Sequence, residues 1–382
     1  MKIVIHYVLL SLLILSCTSR PQETAEMKIE INPTEADRSF DCKELLDTAG
    51  CALIPLGDTR KPIVHVSKLQ VVDGKIYVMD ENTHCLHVFA PDGKALFSID
   101  RQGRAGNEYL ALTDFHATRQ EIFLLDQDSE KILVCDSLGK FVRKIDIEEY
   151  WGNGMFGIGN DVYIINKQSE PQAGRYHLFR FASDGSFLGK YLPFDRQFGF
   201  SSSKYYAPGG CNEYLYCQTP INTVYQVTPE GCAPLLDIDF GSYAVPEKYY
   251  TTGLRKLMKD GIHRTYVLGI DQILGNEKYI FLKYTYGKDR DSRWIIYDRQ
   301  AKRLKAHCDG FITSNMYGIG LSEFTIQGQW VYVIYSGFNF TGRLRYYTPN
   351  PPLLPRYQKE LEEVGKRVTE ASNPVLVRYK FK

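Results

Sequence analysis

The strongest constraint on the fold is a strand pattern that returns six times along the chain. Its clearest copy has apolar runs at 74–80 and 86–89, a Pro-Asp-Gly-Lys turn at 91–94 and a third run at 95–97. The Asp-Gly pair favours a tight hairpin, because glycine adopts the positive φ that such a turn requires. Each copy is therefore predicted to be strand, loop, strand, tight turn and strand.

The spacing of these copies selects the architecture. Equivalent positions in the six copies are separated by 46, 40, 52, 65 and 51 residues. Units of about 40–50 residues built from four short strands are typical of propeller blades, whereas a β-sandwich would not repeat its turn chemistry in register. The sequence therefore predicts an all-β fold, a six-bladed β-propeller. The equivalent positions are Ile76, Ile122, Val162, Tyr214, Tyr279 and Trp330.

Two segments depart from the repeat and are predicted to be short helical insertions. Residues 246–261 place apolar side chains among lysines and arginines at helical spacing, and residues 355–371 form a second amphipathic pattern. The chain ends in a strand pattern at 374–381. We expect this strand to pair with residues 51–56, which would close the ring and remove an exposed sheet edge. The propeller is assigned to residues 39–382.

The start of the chain carries an export signal. Lys2 precedes an apolar run at 3–15, which is too short for a transmembrane helix of roughly 20 residues. The sequence Ile-Leu-Ser-Cys at 14–17 resembles a bacterial lipobox. The resemblance implies that residues 1–16 are a signal peptide, that Cys17 is lipidated, and that 17–38 form a tether. The alternative is a cleaved signal with an incidental cysteine.

With the strands placed, the chain resembles the six-bladed, NHL-like propeller lipoproteins of Bacteroidetes. Three features carry the resemblance: the blade pattern at 76–94, the Arg-Gln-Gly-Arg-Ala-Gly-Asn-Glu-Tyr connection at 101–109, and Asn-Pro-Val-Leu-Val at 373–377. The resemblance implies a location in the cell envelope, which we expect to be the outer membrane on its periplasmic or surface side. It implies no single chemistry, although members often resemble accessory proteins of nutrient acquisition.

Cysteine spacing predicts no metal site and at most a sparse disulfide set. Eight cysteines follow Cys17, and none forms a CxxC pair. If residues 214–218 and 223–228 form a hairpin, Cys211 and Cys232 lie almost opposite each other, which predicts a disulfide. A second candidate is Cys42–Cys51. The alternative is that these residues are buried free thiols.

Charge and motifs exclude several classes of function. The chain has 46 basic and 45 acidic residues, so no electrostatic footprint indicates nucleic-acid binding. No Gly-x-Ser-x-Gly elbow occurs, and the histidines are scattered. No motif indicates a cofactor, and no catalytic residue is assigned.

Binding by loops around the central channel is therefore the first hypothesis. It predicts a non-catalytic ligand-binding or scaffold protein that serves glycan or peptide acquisition, attached to the membrane by its lipid. A hydrolase or lyase with its active site at the channel mouth is the second hypothesis, and a structural partner in an envelope complex is the third. The candidate ligand-binding residues are Trp151, Tyr205, Tyr206, Tyr249, Tyr250, Arg255, His263 and Arg264.

Overall fold

Six four-stranded antiparallel sheets repeat along the chain in the computed structural model, which describes residues 24–166, 172–201, 205–312, 323–346 and 355–382. The chain is a six-bladed β-propeller, as the repeat spacing predicts. Three strands precede the first complete blade: β1 (Met27–Glu30), β2 (Phe40–Asp41) and β3 (Leu46–Pro55).

The first three blades follow one another without interruption. Blade 1 contains β4 (Lys68–Val72), β5 (Lys75–Asp80), β6 (Cys85–Phe89) and β7 (Ala95–Ile99). Blade 2 contains β8 (Asp114–Ala117), β9 (Glu121–Asp126), β10 (Lys131–Asp136) and β11 (Phe141–Asp146). Blade 3 contains β12 (Gly154–Ile158), β13 (Asp161–Ile165), β14 (Tyr176–Phe181) and β15 (Phe187–Pro193).

The other three blades carry the additions to the plain fold. Blade 4 contains β16 (Tyr206–Gly210), β17 (Glu213–Cys217), β18 (Thr223–Thr228) and β19 (Gly231–Asp239). Blade 5 contains β20 (Ile270–Gly275), β21 (Tyr279–Tyr286), β22 (Asp291–Asp298) and β23 (Arg303–Cys308), followed by β24 (Phe311–Ile312), which pairs with β2. Blade 6 contains β25 (Phe324–Gln327), β26 (Trp330–Tyr335), β27 (Val375–Phe381) and β3.

Burial follows the position of each strand within its blade. The five residues of β6 are all buried, because neighbouring blades cover both faces of a middle strand. The outer strands β7 and β11 instead alternate between partly buried and exposed residues near their starts. Continuous apolar runs in the sequence therefore mark the middle strands of the blades.

The Asp-Gly turns join the third and fourth strands of a blade. Gly93 has φ +88°, which the turn requires, and an added Cβ there would lie 2.3 Å from the carbonyl oxygen of Pro55. Blade 1 therefore packs its hairpin directly against the backbone of blade 6, and only glycine fits at this contact.

Both ends of the chain close the ring, as predicted. β27 pairs with β26 on one side and with β3 on the other, where Leu376 lies opposite Ile54. The Asn373 side chain accepts a bond from Ile63 N at 2.9 Å and donates to Gly57 O at 2.8 Å. The terminal Asn-Pro-Val-Leu-Val motif therefore fastens blade 6 to the segment that enters blade 1.

The 101–109 connection between blades 1 and 2 is also structural, as predicted. Tyr109 is completely buried, and its hydroxyl donates to His84 O at 2.6 Å. Glu108 accepts a bond from Ala105 N at 2.8 Å, which closes the turn on itself.

Strand direction gives the propeller two different faces. We call "connection face" the side that carries the loops between second and third strands and the links between blades. The opposite side, with the first-to-second and third-to-fourth turns, is the "hairpin face". Because adjacent strands of each blade are antiparallel, every innermost strand begins at the connection face.

Both predicted insertions lie on the connection face. The link between blades 4 and 5 contains α1 (Leu254–Lys259) and α2 (Ile262–Thr265). The loop between β26 and β27 contains α3 (Gly337–Tyr346) and α4 (Pro355–Arg367). The prediction missed α3, because its glycines, threonine and asparagine have low helix propensity. Short 3₁₀ turns occur at Pro33–Glu35, Cys42–Glu44, Gly241–Tyr243 and Glu247–Tyr249.

The predicted tether at 17–38 is partly wrong. Met27–Glu30 pair in parallel with β19 and form a fifth strand on blade 4. Ile29 and Ile31 are buried against the core of blades 4 and 5, so this apolar pair draws the segment onto the propeller. Within the described ranges, no helix has the length and apolar character needed to span a membrane.

Candidate functional site

A cavity of about 420 Å³ lies where the innermost strands begin, at the mouth of the central channel on the connection face. Its wall is contributed by all six blades and combines aromatic, amide and hydroxyl side chains. The wall includes Lys68, Glu81, Asp114, Asn153, Tyr205, Tyr206, Gln272 and Thr325.

An ion pair forms part of this wall. Lys68 Nζ of blade 1 lies 2.8 Å from Asp114 Oδ1 of blade 2, and the two side chains expose 20% and 5% of their surface. Lys68 Nζ also donates to the carbonyl oxygens of Phe115 at 2.7 Å and Met155 at 2.8 Å. The ammonium group, which has three protons to donate, therefore has its acceptors within the protein.

The second carboxylate oxygen of Asp114 also has its hydrogen-bond donors within the protein. Asp114 Oδ2 accepts a bond from Met155 N at 2.7 Å and another from the Tyr206 hydroxyl. Burial lowers the pKa of Lys68 below its usual range, and the charge of Asp114 opposes that shift. Burial raises the pKa of Tyr206 well above its usual value, with Asp114 adding to the effect. The network is thus closed, and it joins blades 1, 2, 3 and 4.

Deeper in the channel than the ion pair, glutamine side chains link the innermost strands of neighbouring blades. Gln70 donates to Ala117 O and accepts from Ala117 N, both at 2.9 Å. Gln327 similarly donates to Leu69 O at 3.1 Å. Innermost strands of adjacent blades do not belong to one sheet, so these amides supply the bonds that a ladder would otherwise provide.

His116 lies in the same layer and is buried. Its Nδ1 is 3.4 Å from Gln70 Nε2, and its ring stacks on Phe123 with centroids 6.4 Å apart. Burial, together with the charge of Lys68, lowers the pKa of His116 to about 3. The imidazole is therefore neutral at physiological pH and is not matched to proton transfer there.

The structure brings two of the eight sequence candidates into the cavity. Tyr205 and Tyr206 lie on its wall, and the Tyr205 hydroxyl donates to Asn153 Oδ1 at 3.2 Å. Trp151 is half-buried in the connection between blades 2 and 3 and does not line the cavity.

The other five candidates belong to the insertion between blades 4 and 5. Tyr249 and Tyr250 pack in a small core with Leu257. His263 is buried, and Arg255 and Arg264 are exposed on the helices. These residues do not converge on the cavity wall.

Sequence reasoning missed the polar residues of the innermost strands. Lys68, Asp114 and Gln272 lie on strands too short and too polar to show an apolar period. These residues could have been located by their position in the sequence, because each innermost strand lies one tight turn before the apolar second strand of its blade. Within the described residues, no three His, Cys, Asp or Glu side chains converge as a metal site would need.

The predicted Cys211–Cys232 disulfide is wrong, because no disulfide joins these two residues. Cys232 lies opposite Val227, which in turn lies opposite Tyr214 on the far side of β18. Two strand spacings of about 4.8 Å therefore separate Cys232 from β17, beyond the Cα separation that a disulfide allows. Cys42 is a buried free thiol, and the side chain of Cys51 lies outside the described residues.

Burial of His116 predicts acid sensitivity. The unfolded chain binds a proton at this imidazole below about pH 6.5, whereas the folded chain does so only near pH 3. The free energy of unfolding should therefore fall by up to about 1.4 kcal/mol per pH unit between these values. Urea denaturation from pH 7 to pH 4 should show a shallower fall for His116→Gln.

Exposed His65 provides the control, because His65→Gln should keep the wild-type pH slope. Burial also lowers the pKa of His177, to about 4, so some slope should remain in His116→Gln. Identical slopes for wild type and His116→Gln would contradict this assignment.

Comparison with solved structures shows the same fold in one exported Bacteroides protein. A protein of Bacteroides fragilis described as exported matches with a TM-score of 0.72 at 13% identity, over 93% of this chain and 100% of that one. A DUF4221 family member from Bacteroides vulgatus matches with a TM-score of 0.48 at 10% identity, over 88% and 97%.

Comparison at the level of sequence gives a family without an assigned activity. No curated protein matches the chain. The family described as "Domain of unknown function (DUF4934)" matches residues 29–380, which is nearly the whole propeller together with the end of β1. This chain therefore belongs to the DUF4934 family.

Proposed function

We propose that this protein is a lipid-anchored binding protein of the bacterial cell envelope that holds a glycan or peptide ligand at the channel mouth. One observation carries the proposal. The cavity wall offers aromatic surface, uncharged hydrogen-bonding groups and the exposed carboxylate of Glu81, while its Lys68–Asp114 ion pair is fully occupied by the protein itself.

The wall suits a ligand rich in hydroxyl or amide groups. Tyr206 is half-buried and presents aromatic surface to the cavity, whereas Tyr205 is buried and packs edge-on against it at a centroid distance of 5.4 Å. Gln272, Asn153 and Thr325 add side chains that both donate and accept hydrogen bonds. Pockets that bind small molecules combine apolar surface with a few placed polar groups in this way.

The buried polar groups of the wall are not placed for acid–base catalysis. A general acid or base needs a free carboxyl or imidazole with a pKa near the working pH. Asp114 is bonded to Lys68, Tyr206 and backbone amides, and His116 has a pKa of about 3. Glu81 is exposed on the wall. In a binding protein its carboxylate would accept hydrogen bonds from the ligand.

Export is supported by the fold it shares with the exported protein of Bacteroides fragilis. The lipid anchor rests on the lipobox-like sequence ending at Cys17, a residue that lies outside the described part of the chain. Residues 18–26 would then link the acylated cysteine to β1, with a reach of about 30 Å when extended.

Filling the cavity should abolish ligand binding. Gln272→Trp places a large ring on the cavity wall, and it should remove binding to any hit from a glycan and peptide screen of residues 18–382. Gln300→Trp makes the same change at an exposed hairpin turn and should bind like the wild type. Isothermal titration calorimetry measures both, and circular dichroism checks the fold.

A screen without hits in either class would count against the binding proposal. Equal affinity of Gln272→Trp and wild type for a confirmed hit would place the site elsewhere and would also contradict it.

Loss of the lipidated thiol should release the protein from membranes. In Cys17→Ala the acyl chains cannot be attached, so the full-length protein should move to the soluble fraction. Cys211→Ala changes an exposed thiol on blade 4 and should remain with the membranes. Membrane association of Cys17→Ala at the wild-type level would overturn the anchor.

A further inference from the structure

We infer that the insertion between blades 4 and 5 is a second binding surface, specific for an anionic polysaccharide. The relevant segment, residues 247–265, is called the cationic insertion below. It contains five basic and two acidic side chains, a net charge of +3, in a chain whose total net charge is +1. The inference goes beyond the cavity and does not depend on it.

The protein leaves most of these cations without a carboxylate partner. Asp260 pairs with Lys256 at 2.6 Å, and Glu247 lies 3.9 Å from Arg196 outside the segment. Both carboxylates are therefore engaged. Among the described residues, no carboxylate lies within ion-pair distance of the four exposed cations that remain, which are Lys248, Arg255, Lys259 and Arg264.

A small core holds these cations on a defined backbone. Leu257 is completely buried, and Val245 and Phe200 expose 3% and 7% of their surface. Gly199 N donates to Tyr250 O at 2.8 Å, which ties the insertion to the link between blades 3 and 4. The insertion is therefore packed onto the propeller, and its charged side chains project from a fixed support.

The arrangement of the cations suits an extended anion. Arg255 and Lys259 are four residues apart in α1, so they lie one above the other on one side of the helix. Arg264 follows on α2, and Lys248 precedes them on a 3₁₀ turn. Cations dispersed over several turns match repeating charges along a chain better than they match one compact anion.

Burial of the apolar residues argues against a membrane as the partner. A helix that lies in the bilayer interface needs a free apolar face. In the cationic insertion that face is used by the small core, and Leu254, 43% exposed, is its one large exposed apolar residue. The same shortage argues against a protein interface, whose centre is normally apolar. A charged polysaccharide requires neither.

The experiment compares dextran sulfate with uncharged dextran as probes for residues 18–382. Wild type should bind dextran sulfate in a salt-dependent manner and should not bind dextran. The triple variant Arg255→Gln, Lys259→Gln, Arg264→Gln should bind about tenfold more weakly or worse, because three exposed ion pairs are lost. Biolayer interferometry at several salt concentrations measures this.

A matched triple variant separates a specific surface from general charge. Lys94→Gln, Lys140→Gln, Arg303→Gln removes the same charge from exposed residues on the hairpin face. It should bind dextran sulfate like the wild type, and equal loss in both triple variants would overturn the proposal. Binding of polyglutamate or of phosphatidylglycerol vesicles as tightly as dextran sulfate would also overturn it.

The cavity variant keeps this inference separate from the proposed function. Gln272→Trp lies outside the cationic insertion and should bind dextran sulfate with wild-type affinity, whether or not the cavity binds its own ligand. Loss of dextran sulfate binding in Gln272→Trp would contradict a second, independent surface.

Discussion

The contact between Lys68 and Asp114 is the interaction on which the rest of the channel depends. A propeller has no hydrogen-bonded ladder between blades, so its centre needs other polar connections. Here one ammonium group of blade 1 contacts a carboxylate of blade 2 and a carbonyl of blade 3, while Tyr206 of blade 4 bonds the same carboxylate. Four of the six blades are therefore positioned by one network.

Because this network is largely buried, loss of one of its members should destabilise the whole network. Removing one partner from a buried ion pair leaves a desolvated charge, which costs about 3–5 kcal/mol. The backbone amides of Phe115 and Met155, together with Tyr206, complete the hydrogen bonding of Asp114. An ion pair held in this way stabilises the wall and has no free lone pair or proton for chemistry. The wall around this ion pair is therefore held rigidly, with Glu81 as its exposed charge, and this favours binding.

Local sequence patterns were sufficient to predict the architecture. The Asp-Gly turns, the apolar second strands and the terminal strand are each contained within a few residues, and together they predict six blades and the closing pair of β3 and β27. The link at 101–109 was predicted from its resemblance to the connection between NHL-like blades. Where propensity was weak, as in α3, the prediction failed.

The site could not be predicted in the same way, because its parts are far apart along the chain. Lys68, Asp114 and Tyr206 are separated by 46 and 92 residues, and each lies on a short strand without an apolar period. The search for aromatic residues in loops correctly selected Tyr205 and Tyr206 but none of the other residues of the cavity wall. The disulfide prediction failed because it considered one hairpin and overlooked that β18 lies between the two cysteine-bearing edges.

A double-mutant cycle on Lys68 and Asp114 tests the central claim most directly. The free energy of unfolding is measured by chemical denaturation for Lys68→Met, Asp114→Leu and the double variant. Each single variant should lose about 3–5 kcal/mol, and the double variant should lose far less than their sum. Additive losses of under about 1 kcal/mol each, typical of an exposed pair, would contradict it.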